Sequence, residues 1–497
     1  LDAIEKKDFV MDLGFMIGHG PLRSYVMGYE RCQSQVDASQ EEISKMSDLV
    51  TEAIESGALG FSTSRTILHR DVHGVYVPGT EASSEEMKSL AFAIDRAGEG
   101  TLEIVSDWLD KEIEMSWMKE YVEKSDCGLT VLQTSGDAVK TILFCEEQFL
   151  KGKNVRPQFP GRNVGMMFGL ESSLHPFIGH PSYRKIAELP LAERVKIMSD
   201  PAFKEKLLKE KPNFASEIEK TMNEQGNAKS KEEIQEAASL GQKLISNYET
   251  QFILGDPPNY EPGKEDSIAA LAETKGVSEL EVIYDEFLKN EGTNLVYACF
   301  TPYDNHKLDF VERAYSLKSS VAGGSDGGAH CGLICDASMP TTNLSHWARD
   351  REAGKKIPIE LIVRKQTKDT AETYGLFDRG EIKTGMMADL NIIDFENLNV
   401  THPKMVYDLP MGGRRLIQNS FGYLATVKSG EVVYESGEAT GVLPGKLIRG
   451  KQTCEVKAEK EKIPFVDRTL RLMSVKAFKL LWNLRKKPAK TTVVSGD

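Results

Sequence analysis

The 497-residue chain is 40% hydrophobic and 28% charged, enough to bury a sizeable core and too long for one ordinary compact domain, so a large domain with a smaller companion is expected. A net charge of -13 excludes a surface that tracks nucleic-acid phosphates, because such a surface needs clustered Lys and Arg over much of a domain. No run of about 18 apolar residues occurs, which excludes a membrane-spanning helix, and seven scattered cysteines without a C-x-x-C pair point to reduced thiols and a cytosolic setting.

The chain opens on Leu1-Asp2-Ala3-Ile4-Glu5 without an initiator Met, so it reads as the interior of a longer protein whose targeting signal, if any, is out of view. Short apolar runs bounded by glycine or polar turns then alternate with segments of helical period, the pattern of parallel strands and crossover helices, and the fold class is α/β. The predicted strands are Val10 to Gly18, Ala58 to Ser62, Leu102 to Ser106, Leu129 to Gln133, Val155 to Phe159 and Ser320 to Ser325. Predicted helices include Ser39 to Ser56 and Ser84 to Ala97, whose apolar positions recur at three and four. Six strands fall two short of a closed eight-stranded barrel.

From about residue 181 to 292 the composition turns Lys- and Glu-rich and helical, as in Pro201 to Lys211 and Lys231 to Tyr248. This predicts a helical insertion before the last barrel strand, and two readings of it stay open, a lid over the loop side or a passive surface elaboration. After the predicted helix Pro358 to Tyr374, turn glycines and the alternating run Ala388 to Asp394 open a β-rich stretch. The organisation expected is a barrel domain over 1–375, a small β-sandwich domain over 376–450, and a basic helical tail over 451–497. In that tail Arg468, Arg471, Lys476 and Lys479 interleave with Met473, Phe478, Leu481 and Trp482, a pattern open to contact with an anionic membrane or to packing on the protein itself.

The segment richest in chemistry is Ser319-Ser-Val-Ala-Gly-Gly-Ser-Asp-Gly-Gly-Ala-His330, where a strand of small residues delivers Asp326 at its carboxyl end, the active face of a barrel. An acid in so glycine-rich a turn also suits a helix cap. His330 points into the same mouth if the turn continues as helix, or else faces solvent. Arg65, Arg70 and Arg162 lie just beyond probable strand ends, and arginine supplies the planar fork that grips a carboxylate, although a loop salt bridge is the plainer role for each.

Together Gly57-Ala-Leu-Gly-Phe-Ser-Thr63, Tyr76-Val-Pro-Gly79, the Gly-Ser-Asp-Gly turn at 324–327 and Arg379-Gly-Glu-Ile-Lys-Thr-Gly-Met-Met-Ala-Asp-Leu390 resemble the N-acyl-D-amino-acid deacylase branch of the amidohydrolase superfamily. The resemblance covers nearly the whole chain before Arg449 and implies a (β/α)8 barrel whose first strands are missing here. It implies hydrolysis of a linear amide of a small-molecule substrate, N-acylated D-amino acids being the expected class, with a divalent metal, zinc, activating water. Asp326 matches the acid that binds or faces the metal and shuttles the proton. Tyr76 opens the substrate loop, with Arg162 and His330 as further substrate contacts.

The chain also departs from that pattern. No H-x-H strand is present, and Gly18-His-Gly20, His69, His73, His175 and His180 do not replace it. The fifth and sixth strands end without histidine, leaving Glu103, Asp107 and Gln133 as substitutes in coordination or as packing groups. The rival expectations are a cyclic-amide hydrolase on the same barrel, and a metal-free barrel that binds without catalysis.

Overall fold

The computed structural model describes residues 1–70, 75–108, 110–134, 139–215, 231–328, 331–453, 467–469 and 471–476. Up to the Gly-Ser-Asp-Gly turn its strands are β1 (Ile17–Gly18), β2 (Gly60–Arg65), β3 (Thr101–Ser106), β4 (Gly128–Leu132), β5 (Val155–Pro160), β6 (Val164–Phe168), β7 (Gln251–Ile253), β8 (Val296–Thr301) and β9 (Val321–Gly323). Six of them form one sheet in the order β1-β2-β3-β4-β5-β9, parallel throughout. Each of the six predicted strands contributes to this sheet. The first is much shorter than the predicted Val10 to Gly18, because Phe9 and Leu13 are drawn away to bridge Gly445 and Leu447.

Register explains which face is buried. Phe61, Leu102, Leu129 and Val155 lie side by side across β2 to β5. With Ile104 and Val131 they pack on the helices Gln40–Glu55, Ser84–Ala97 and Lys111–Lys124. The first of these helices buries Ile43, Met46, Val50 and Ile54, one stripe at intervals of three and four. It is started by a capping box in which Ser39 and Glu42 satisfy each other's backbone N–H groups. Each fully buried Leu or Ile of this layer contributes about 1.5–3 kcal/mol. Side chains alternate along a strand, so Ser62, Glu103 and Thr130 line up on the opposite face. There the Tyr374 hydroxyl donates to Glu103 Oε2 at 2.6 Å and accepts from Gln158 Nε2 at 3.4 Å. That face carries polar side chains, Glu103 bonded to Tyr374 and Thr130 buried with its hydroxyl unpartnered.

Beyond β5 the chain turns back within a few residues into β6, which pairs antiparallel with β8, and β8 pairs antiparallel with β7. This three-stranded sheet lies among the helices Leu191–Met198, Pro201–Lys209, Lys231–Ile245, Ile268–Lys275 and Glu279–Phe287, so the segment predicted as helical insertion also carries β7. Residues 216–230 of that segment lie outside the described residues. Glu261, between β7 and the last two of these helices in the chain, accepts both Nε and Nη2 of buried Arg351, and Arg351 lies over the Trp347 ring at 4.4 Å.

After the helix Lys368–Thr373 the strands Leu390–Ile393, Tyr423–Lys428, Glu431–Glu435 and Glu438–Ala439 make a four-stranded antiparallel sheet, with two small two-stranded sheets beside it. It is tied to the start of the chain by Asp12, which pairs with Arg379 at 2.7 Å and Lys428 at 3.1 Å. Of the basic tail, residues 451–453 are described and extended, and 467–469 and 471–476 are described and helical. Asp467 pairs with Lys318 at 3.3 Å, and Val475 is buried, so this part packs on its own chain. No helix among the described residues is long and apolar enough to cross a membrane, and the six described cysteines are free thiols.

Candidate active site

The carboxyl ends of β5 and β9 lie side by side, with Phe159 opposite Ala322 and Pro160 opposite Gly323. The two outgoing turns therefore leave the sheet at one place: Gly161, Arg162 and Asn163 after β5, and Gly324, Ser325 and Asp326 after β9. Gly324 has φ +78°, and a Cβ there would sit 3.2 Å from that of Pro160, so the turn that presents Asp326 calls for glycine. Asp326 is exposed at this end of the sheet.

Arg162, on the turn after β5, is buried. Its Nη2 donates to the Cys335 carbonyl at 2.9 Å and to Asp336 Oδ1 at 3.1 Å, and its guanidinium stacks 3.5 Å over the Tyr260 ring. Its Nε and Nη1 have no partner. Burial works against the charge on Arg162, but Tyr260 and Asp336 outweigh it and hold the group firmly protonated. Asp336 is pushed up to about 6 by burial and by the nearby charge of Asp326, against the opposing pull of Arg162. Two carboxyl groups in unlike environments thus stand together, one open to solvent and one enclosed.

Tyr76 stands on the loop that comes after β2, half-buried, with Arg70 stacked 4.4 Å over its ring and Gln35 Nε2 donating to its carbonyl at 2.9 Å. His330 and His73 lie outside the described residues. Arg65 is committed to Glu114, with Nη2 to Oε1 at 2.6 Å.

The histidines have other work. His19, at the end of β1, is buried with Nδ1 on Thr63 Oγ1 and Nε2 on Glu86 Oε1, both at 2.8 Å, and burial lowers its pKa. Gly79 of the Tyr-x-Pro-Gly loop has φ +102° and lies where a Cβ would come within 2.6 Å of that ring, so the loop is laid directly on His19. His69 Nδ1 bonds Ser64 Oγ at 2.6 Å. His175 sits among Phe177, Tyr183 and Phe287, and burial pushes it down to about 3. His180 is buried with both ring nitrogens unpartnered.

Of the other polar residues on or just past the strands, Glu103 holds Tyr374, Asp107 accepts the Ile67 N–H at 2.7 Å, and Gln133 donates to the Val131 carbonyl two positions back. Among the described residues no group of three or more His, Cys, Asp or Glu side chains is placed to hold a metal ion. The donor set that a metal would need is not gathered there.

The sheet, the turn at 324–327 and the sequence agree on a class: the chain belongs to the amidohydrolase family, whose profile matches residues 2–434. Within it, the chain is 24% identical to the D-aminoacylase of Alcaligenes xylosoxydans xylosoxydans over 79% of this chain and 63% of that one. It is 23% identical to an uncharacterized protein of Mycobacterium tuberculosis over 89% of this chain and 71% of its relative. Among solved structures it is similar to a D-aminoacylase described with a binuclear metal center, at 18% identity and TM-score 0.49 over 90% of this chain and 74% of that one. A zinc complex of the N-acyl-D-glutamate deacylase from Bordetella bronchiseptica aligns at 16% identity and TM-score 0.47, over 89% and 72%.

Tyr260, Cys335, Asp336 and Glu86 were not among the predicted site residues. Asp336 had one signal in the sequence: an acid ten positions after Asp326, in the same run of small residues.

Proposed function

We propose that this chain hydrolyses the linear amide bond of N-acylated amino acids, with the D-amino acids as the preferred series, on a (β/α)8-type barrel to which the six parallel strands belong. The observation that carries the reading is the family match over residues 2–434 together with an exposed carboxylate, Asp326, at the carboxyl end of β9. In this reading Asp326 takes a proton from the water that attacks the carbonyl carbon and returns it to the leaving nitrogen as the C–N bond breaks. Arg162, covered by Tyr260, acts by holding Asp336 and the Cys335 carbonyl, and so sets the 326–336 segment. Tyr76 and His330 are the proposed substrate contacts. The 181–292 segment is the proposed lid, followed by a β-sandwich domain over 376–450 and a basic tail over 451–497.

The reading is tested by assaying the full chain and Asp326→Asn on a panel of N-acyl-D- and N-acyl-L-amino acids, with metal content measured in parallel by mass spectrometry. Turnover of the D-series that is lost in the variant supports it. Hydrolysis confined to hydantoins or dihydropyrimidines would move the substrate to cyclic amides. A second reading, a barrel that binds a small molecule without catalysis, is favoured by the missing cluster of metal donors among the described residues. Absence of turnover on every amide by metal-supplemented protein would establish it over the first.

A further inference from the structure

At the amino ends of the same strands, opposite Asp326, lies a cavity of about 890 Å3. Its wall includes the approaches to β2, β3, β4 and β5, the helices Ile359–Gln366 and Lys368–Thr373, and the described part of the tail. In a chain of net charge -13, the Lys and Arg side chains that line it outnumber the Asp and Glu nine to five.

Several carboxylates here are each shared between two cations. Asp369 is held by both Arg364 at 3.0 Å and Lys365 at 3.1 Å. Glu372 serves Arg156 at 3.4 Å and Lys368 at 3.8 Å, the latter also reaching Glu381. Asp467 serves Arg471 at 3.0 Å and Lys318 at 3.3 Å. Burial pushes Lys365 down to about 8, against the opposing pull of Asp369. Positive charge concentrated in a concave, partly desolvated wall is screened less than charge on an open surface and focuses its field into the cavity.

We propose that this cavity is a binding site for a small oxyanion carrying two or more negative charges, of phosphoryl or polycarboxylate chemistry, separate from the hydrolytic end of the sheet. Arg468 and Arg471 form one wall from the tail, while Arg156 and Arg364 form another from β5 and the Ile359–Gln366 helix. Guanidinium groups from two sides suit an anion with several oxygens, and a single carboxylate would satisfy one side alone.

The test is calorimetric titration of the full chain with pyrophosphate, citrate and acetate at low and high salt, repeated on Arg468→Gln/Arg471→Gln. Pyrophosphate or citrate should bind at one site per chain, weaken steeply with salt, raise the unfolding temperature of the unsubstituted chain, and lose about tenfold or more in affinity in the double variant. Binding by both anions would indicate general polyanion recognition, and binding by pyrophosphate alone would select phosphoryl ligands. Arg468→Lys/Arg471→Lys should keep most of the affinity, and the ligand-free unfolding temperatures of the variants show that loss of binding is not loss of fold. Acetate binding as tightly as the others, equal binding by the Gln variant, or no heat and no thermal shift with either polyanion would overturn the proposal.

Discussion

The Glu261 cluster makes a quantitative prediction about how the insertion is fastened to the helices that follow β8 and β9. Glu261 is fully enclosed and accepts hydrogen bonds from Arg351 Nε at 2.9 Å and Nη2 at 3.0 Å, His346 Nε2 at 2.9 Å, and the Leu308 N–H at 3.0 Å. Burial alone would raise its pKa, but the bonds from His346 and Arg351 outweigh it and bring the carboxyl down to about 2 from 4.5. A depressed pKa contributes stability that is fully present above the unfolded value near 4.5 and is lost as pH falls through about 2. The difference corresponds to roughly 3 kcal/mol at neutral pH and to about 1.5 kcal/mol at pH ~3. Glu261→Gln should therefore cost about 3 kcal/mol at pH 7, the lower end of the range for breaking a buried pair, since Glu312 still meets Arg351 at 2.5 Å. Urea unfolding followed by tryptophan fluorescence, run on both proteins at neutral and acid pH, reads the effect. Glu261→Leu/Arg351→Met should recover most of the loss, because paired removal leaves no bare buried charge. A cost under about 1 kcal/mol at pH 7, or a gap that does not narrow in acid, would refute the reasoning.

Asp326→Asn should lower kcat by about a hundred- to ten-thousand-fold with the unfolding temperature unchanged, since the side chain is exposed; steady-state kinetics and a thermal melt check both halves. Arg162→Met should destabilise by about 3 kcal/mol in urea, because Asp336 is left enclosed without its cation. Gly79→Ala should cost about 2 kcal/mol or more in the same urea unfolding assay, since it adds strain at φ +102° to a 2.6 Å clash with the His19 ring, and Gly79→Ala/His19→Ala should regain part of it.

The six parallel strands were legible because each is a short apolar run ended by glycine or a polar turn, with its crossover helix marked by local period. β6 and β8 were not. Val164 to Phe168 comes so soon after β5 that it reads as more of the same strand, and its partner, Val296 to Thr301, lies about 130 residues downstream, where no local pattern announces it. The place of Asp326 was readable from the small residues that let β9 approach β5. The enclosure of Arg162 was not, because Tyr260, Cys335 and Asp336 arrive from distant segments and only their convergence shows that the guanidinium is roofed over. The partners of His19 were illegible for the same reason: Thr63 and Glu86, which occupy both of its nitrogens, are separated from it by 44 and 67 positions.

The union of residues 9–13 with residues 445–447 has a consequence for biosynthesis. Asp12 accepts the backbone N–H of Lys446, 434 positions away, and its cations Arg379 and Lys428 belong to the same late region. A ribosome releases residues 9–13 long before those partners exist. While β2 to β5 and their helices can assemble from neighbours in order, the 9–13 segment must wait for its partners at 445–447 until those are translated. Ribosome-bound chains stalled before residue 445 should accordingly be cut by protease near Phe9 to Leu13 while the β2–β5 layer is already protected.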